Sequence, residues 1–426
     1  MAWTQAATGC HPPQSLPDMA SPAITLGPSN VLLPYELLRE IFHQATFIPH
    51  EWDVNVTSFI PGLFCIRDNL QLHAWREMLP LRRAIAQVSS QWRAVALEFL
   101  YGTFHDNEEE QKLVAFDSIL SDYPHYASLV KRLSIRLKKK PNHHALAARV
   151  LLHCPNLLII DFEGVFGSGH QDPMALSNLT DLPATLRQLD ITNVPTNNLF
   201  IILDQLPNLE ILSISGVNDA VLASDCPSVV LSNLRIVQFI SRPRSDVIEL
   251  YMGNIKAPRL TTLVIDHFFP RLPDDVTRHL RDLEFIFPYR MYEVWRADDL
   301  PILRRLKICW ECMDWDTFLS HLPMKQIVEL TCNSITIDVI SRSRTHLESA
   351  ILTTLNGDLM PNLKSFTLNM EYKIIILLSG EDDAASELRA WFIDLNAAFD
   401  QRGVDLYFCP TDTLRGKVLM GDILRA

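Results

Sequence analysis

Hydrophobic positions along this chain follow two rules in succession. Between Val31 and Leu100 they recur at helical spacing. Leu37, Leu38, Ile41 and Phe42 follow Pro34, whose missing N–H costs nothing in a first helical turn. Leu81, Ile85, Val88, Trp92, Val95, Ala96 and Phe99 then recur at three- and four-residue steps, so the pattern predicts a short helix from Pro34 and a second from about Leu81 to Leu100. After about residue 125 the apolar positions fall instead at i, i+3 and i+5, often introduced by Pro-Asn or a similar pair. The clearest copies are Leu186, Leu189 and Ile191; Leu209, Leu212 and Ile214; Leu260, Leu263 and Ile265; and Leu303, Leu306 and Ile308. Weaker copies begin at Val130, Leu157, Leu234, Leu280, Ile327 and Leu363.

From Leu186 to Ile327 successive first positions lie 20 to 26 residues apart, within the range of roughly 20 to 29 residues of leucine-rich repeats, which the array resembles. Each copy predicts a short strand whose apolar side chains lie beneath a parallel sheet, with the chain returning through a helix or irregular turn by right-handed crossovers. One such unit cannot bury its own face, so neighbours must stack. The predicted fold class is therefore α/β, an N-terminal helical unit followed by a repeat solenoid with its parallel sheet on a concave face. The array spans about 125–370. A wider interval between Ile327 and Leu363 predicts a longer helix near Ser341 to Leu355. Residues 371–426 read as a capping region, with a buried strand over Lys373 to Leu378, an amphipathic helix over Ala384 to Phe399 and a last strand over Val404 to Phe408. Residues 1–29, with Pro12, Pro13, Pro17, Pro22 and Pro28, read as a flexible leader.

The segments Leu33-Pro34-Tyr35-Glu36-Leu37-Leu38-Arg39-Glu40-Ile41-Phe42 and Val88-Ser89-Ser90-Gln91-Trp92-Arg93-Ala94-Val95-Ala96 resemble the two halves of an F-box, placing that module at 30–105. The second half has Ser89 where the family commonly has Cys, and an insertion of roughly Thr46 to Met78 separates the halves. Such insertions ahead of irregular repeats resemble the F-box proteins abundant in mushroom-forming fungi. The resemblance implies a module that docks on the Skp adaptor, and through it a cullin, in an SCF-type ubiquitin ligase, while the repeats hold an unidentified target protein. Leu33, Pro34, Leu37, Leu38, Ile41 and Phe42 match the adaptor-facing half, and Val88 and Trp92 match residues that brace the module and meet the adaptor. From periodicity alone, the same stripe reads as intramolecular core.

Composition narrows the choice. A net charge of −12 opposes binding to nucleic acid, and the Lys138-Lys139-Lys140 run reads as a solvated loop. Neither a membrane-length apolar run nor a secretory leader is visible, which makes the expected location cytoplasmic or nuclear, with the eight cysteines reduced. On that ground the sequons at Asn55 and Asn178 read as chance matches.

Cys309 and Cys312 have C-x-x-C spacing, which suits redox exchange or half a zinc site, but no second pair accompanies them and two ordinary thiols at a strand end are favoured. His143, His144, His153 and Cys154 form a second metal candidate without a clear tetrahedral set. Glu108-Glu109-Glu110 and Glu381-Asp382-Asp383 suit helix starts better than acid–base work. Phosphate-loop, dinucleotide and nucleophile-elbow motifs are missing. The expectation is a binding protein without catalytic residues, cofactor or metal.

Overall fold

A computed structural model describes residues 33–48, 51–52, 54, 64–106, 110–137, 141–164, 182–192, 196–215, 227–240, 245–265, 272–285, 300–309, 325–335, 340, 344–345, 348–349, 351–352, 360–370, 374, 378, 383–410 and 418–420. The chain is an α/β protein built on a large, almost wholly parallel sheet with helices. It divides into two compact units, residues 1–53 with 71–186, and residues 54–70 with 187–426.

In the first unit α1 (Tyr35–Ala45), α2 (Phe64–Val88, of which residues 71–88 belong here) and α3 (Ser90–Tyr101) form a helical module. The one helix predicted over Leu81 to Leu100 is thus two, because Ser89 is extended (φ −159°, ψ 171°) and its hydroxyl accepts the Trp92 amide N–H, capping α3. Strand β1 (Thr103–His105), helices α4 (Glu110–Asp122) and α5 (Pro124–Ala127), β2 (Arg132–Leu137), α6 (Pro141–His153) and β3 (Ile159–Gly164) follow. The three strands are parallel, β1 to β2 to β3, with Phe104 beside Leu133 and Leu133 beside Ile160. Phe104 stacks on Phe116 of α4, centroids 4.1 Å apart.

The second unit continues with β4 (Gln188–Thr192), α7 (Thr196–Asp204), β5 (Ile211–Ser215), β6 (Val229–Val230), β7 (Ile236–Ile240), α8 (Ser245–Asn254), β8 (Ile255–Lys256), β9 (Thr262–Ile265), α9 (Asp274–Thr277), β10 (Asp282–Phe285), β11 (Arg305–Cys309), β12 (Glu329–Ile335), β13 (Ser365–Met370), α10 (Asp383–Gln401), β14 (Asp405–Pro410) and β15 (Val418–Leu419). Its strands run parallel in the order β4-β5-β7-β9-β10-β11-β12-β13-β14, β15 is antiparallel on β14, and β6 pairs with β8 apart.

Every copy of the i, i+3, i+5 motif lies at a strand, and its described apolar positions are at most 6% exposed. Register explains why. Leu189, Leu212, Val237, Leu263, Leu283, Leu306, Leu330, Phe366 and Leu406 stand side by side across nine strands, and the alternation of a strand sends each the same way. Phe200 of α7 packs on Tyr251 of α8 (5.5 Å between centroids) and Tyr251 on Phe239 of β7 (6.0 Å), while Phe399 of α10 packs on Phe366 (5.1 Å).

Asn and Thr side chains ahead of the strands have a defined task. Asn156 donates to the Ser128 carbonyl, Asn233 to that of Pro207 and Asn362 to that of Lys325, each tying one repeat's turn to the turn before it. The backbone makes a second joint. The Arg187 carbonyl accepts from both the Glu210 and Ile211 amides, the Glu210 carbonyl from Arg235 and Ile236, and the Arg235 carbonyl from Thr261 and Thr262. The same joint recurs at Thr261, Arg281, Arg304 and Val328, and within the first unit at Gly102 and Lys131.

Three expectations change or stay outside the described residues. Ile374 and Leu378 are helical and buried, which corrects the strand predicted for Lys373 to Leu378; a short aliphatic run is compatible with either structure. Near the predicted Ser341–Leu355 helix, Ile340, Arg344, Thr345, Glu348, Ser349, Ile351 and Leu352 are helical. The leader, both sequons, Lys138 to Lys140, Glu108, Glu109, Glu381, Asp382 and Cys312 lie outside the described residues.

Candidate functional site

The sequence places α1 by simple means. Pro34 (φ −51°, ψ 144°) precedes the first turn, its carbonyl accepting from the Leu38 amide, Glu36 lies at the positive end of the helix dipole and His43 at the negative end. Thr46 closes it, the amide and hydroxyl both donating to the Phe42 carbonyl (2.9 and 2.8 Å).

The helix is used on one face only. Leu38 and Phe42 are buried among Ile85, Ala86, Val95, Ala96 and Phe99, with the Trp92 ring tilted on Phe42 at 5.0 Å. On the other side Leu33, Leu37 and Ile41 are 40%, 53% and 48% exposed, and Pro34 and Tyr35 are exposed beside them. Of the eight residues expected to face a partner, Leu38 and Phe42 lie in the core of the module. One side of a helix cannot meet both a folded interior and a partner. Trp92 is half-buried, and Val88, 60% exposed, ends α2. Gln91 Nε2 donates to the Leu33 carbonyl (2.6 Å), which brings the α2–α3 turn, and Val88 with it, to the start of α1.

Residues of the insertion between the two half-motifs hold this arrangement. The buried Arg82 guanidinium grips the Glu51 carboxylate in two contacts (2.8 and 2.6 Å) and donates to the carbonyls of Thr46 (3.0 Å) and Phe99 (2.9 Å). A single cation thus sits at the C-terminal ends of both α1 and α3, where the helix dipoles favour positive charge. Trp52 donates through its indole N–H to the Thr103 hydroxyl (2.7 Å), and Lys131 lies 5.3 Å from the centroid of its ring. On the outer side, Arg39 forks onto Glu98 with two 2.8 Å bonds. That bond holds the Glu98 carboxyl below its usual range against the opposing effect of burial. Arg39 is half exposed, so the pair contributes only about 0.2–1 kcal/mol.

The Trp75 ring lies edge-on to His105 at 5.2 Å, over the strand face opposite Phe104. Beside it Arg132 and Asp161 form a buried ion pair (2.6 Å). Burial drives the His105 pKa down to about 3; the Arg132 charge and, less, Arg76 add to this, and Asp161 opposes it. The unfolded chain accepts a proton near pH 6.5 and the folded chain does not, so stability is full above that pH and falls as the pH drops toward 3. Between pH 7 and 5 the His105 contribution is a loss of about 2 kcal/mol, and His105→Gln should remove it. Urea midpoints of both proteins at the two pH values check this; parallel pH dependences would refute it.

Some of the metal candidates have other neighbours. His143 lies 3.2 Å from Asp106 in the interior, His153 is 3.8 Å from Asp117, and burial lifts the Cys154 thiol to about 12. Among the described residues no three His, Cys, Asp or Glu side chains are grouped to hold a metal, and no helix is long and apolar enough to cross a membrane. Cys309 ends β11. Sequence reasoning missed Glu51, Trp52, Trp75 and Arg82, and nothing in the Arg82-Arg83 pair marks which of the two turns inward.

The chain matches no family model and no curated protein. It is similar to the crystal structure of a Bacteroides fragilis protein solved by a structural-genomics consortium, with 13% sequence identity over 76% of this chain and 77% of the other and a TM-score of 0.36.

Proposed function

We propose that this chain is the substrate-recognition subunit of an SCF-type ubiquitin ligase, with residues 30–105 an F-box that docks on the Skp adaptor and the following leucine-rich repeats a solenoid that holds a target protein. The mechanism is proximity: a separate enzyme transfers ubiquitin, and this chain raises the target's effective concentration without a catalytic residue of its own. The observation that carries the reading is the divided face of α1. Among the described residues Leu38 and Phe42 are the buried positions of the helix, yet Leu33, Leu37 and Ile41 continue the apolar pattern outward, and an apolar face of that kind suits a partner.

Co-purification with the host's Skp adaptor tests it. Wild type should capture the adaptor and Ile41→Asp should not, while the melting temperature stays the same because the new charge remains in water. Capture by both Ile41→Asp and Leu37→Asp at wild-type levels would remove the proposal.

A second reading is a repeat interaction scaffold with no ubiquitin role, in which the helices only seal the first strand. The contacts of Trp52 with Thr103 and of Trp75 with His105 favour it. It predicts that no adaptor is captured, and that the same two substitutions lower the stability of the whole array.

A further inference from the structure

Where the C-terminal ends of α1 and α3 meet, the helical module carries a cavity of about 240 Å³. Its walls are apolar and aromatic, formed by Phe47, Ile48, Trp52 and Phe99, and its polar lining includes the Arg82–Glu51 ion pair, whose side chains are 1% and 9% exposed. The walls are held in place. Trp52 is tied to Thr103 by its indole N–H and meets the Phe99 ring at 5.6 Å, while Phe47, 53% exposed, lies edge-on to His43 at 5.3 Å. Hydrophobic and aromatic walls with a few fixed polar groups are the general build of a small-molecule site.

Size and charge narrow the guest. An apolar cavity of about 150 Å³ takes up benzene, so one of about 240 Å³ admits a further fused ring. The N–H groups on the two terminal nitrogens of Arg82 are spent on the Glu51 carboxylate and on the Thr46 and Phe99 carbonyls. Each Glu51 oxygen accepts one of them and keeps a further lone pair, so the pair offers a guest an acceptor rather than a donor. The pair is neutral as a whole. A cationic guest would lie beside Arg82 and an anionic one beside Glu51, each drawn out of water at a cost, which leaves a neutral donor as the matching chemistry.

We propose that this cavity is a binding site for a neutral heteroaromatic small molecule of one or two fused rings carrying an N–H group, of which indole is the simplest two-ring member. The ring lies between Phe47 and Trp52, and its N–H donates to the Glu51 carboxylate. Occupation also takes out of water part of the Phe47 ring, which the chain leaves half exposed. The site goes beyond the reading above and uses neither adaptor nor target. Its lining comes from the ends of α1 and α3 and from the insertion between the half-motifs, so a bound molecule stabilises the folded module by mass action.

Indole is the probe, titrated calorimetrically into the full chain beside benzofuran, which has the same shape with a ring oxygen in place of the N–H. Indole should bind saturably with about millimolar affinity or better and raise the melting temperature as its concentration rises. Benzofuran should bind about tenfold or more weakly, the loss expected when a hydrogen bond to a charged acceptor is missing. Phe47→Ala, at a half-exposed position, should fold as wild type by circular dichroism and bind indole about fivefold or more weakly. The benzofuran comparison needs no variant and decides the matter should Phe47→Ala not fold. No binding of indole to folded wild type, equal affinity for benzofuran, or wild-type affinity for indole in Phe47→Ala would each overturn the proposal. Failure here leaves the F-box reading standing, and failure of adaptor capture leaves this site standing.

Discussion

Arg82→Met will lose about 3–5 kcal/mol of stability in the helical module, as expected when one partner of a buried ion pair is removed and the other is left uncompensated. Glu51 would stay buried with its charge, and the Thr46 and Phe99 carbonyls would each lose a donor at a helix C-terminus. Glu51→Gln should cost somewhat less, because the amide oxygen still accepts from the guanidinium. Arg82→Met/Glu51→Leu together should recover much of the loss, since apolar groups of similar size commonly replace a buried pair without penalty. Amide hydrogen exchange in the last turns of α1 and α3 reads the effect locally. Wild-type protection in Arg82→Met would show that the pair contributes little and that packing alone orients the two helices.

Phe42→Ala will cost about 3–5 kcal/mol, whereas Leu37→Ala, five residues earlier on the same helix, will stay within about 0.5 kcal/mol of wild type. Phe42 fills the space between Leu38, Trp92 and Val95, and its removal leaves a cavity; Leu37 is 53% exposed and leaves none. Urea midpoints of the two variants check the contrast. In adaptor capture the order should reverse for any Phe42 variant that still folds, with Leu37→Ala the weaker binder. Equal destabilisation by both would mean that Leu37 is packed and that α1 has no free face.

What could be read in advance follows from which forces leave a trace in one-dimensional order. The repeats were legible because each strand must offer apolar side chains at fixed intervals to the interior of its own unit, as at Val130 to Ile135 in the first and Leu363 to Leu368 in the second. The first strand was missed since it lines up Phe104 with the others but carries Asp106 where later strands have Ile135 or Phe162, with His143 beside it. Polar burial of that kind breaks the pattern that reveals a strand.

The division of α1 into inward and outward residues was only half legible. Periodicity marks an apolar face without saying how wide a core it meets, so Leu38 and Phe42 were grouped with Leu37 and Ile41. The break at Ser89 stood in the sequence as an N-cap followed by Trp92, but an unbroken apolar rhythm across it read as one helix. Arg82 and Glu51 are 31 residues apart, with no rule of spacing to connect them.

The carbonyl that accepts two amides from the next repeat has a consequence for the history of such a chain. That joint is made of main chain alone, at residues as different as Gly102, Lys131, Thr261 and Val328. A duplicated or deleted segment of repeat length therefore re-forms it with no matching side chain on either side. Growth and trimming of the array become small genetic events, and each newly joined strand brings its outward residues into a row with neighbours they had not met before.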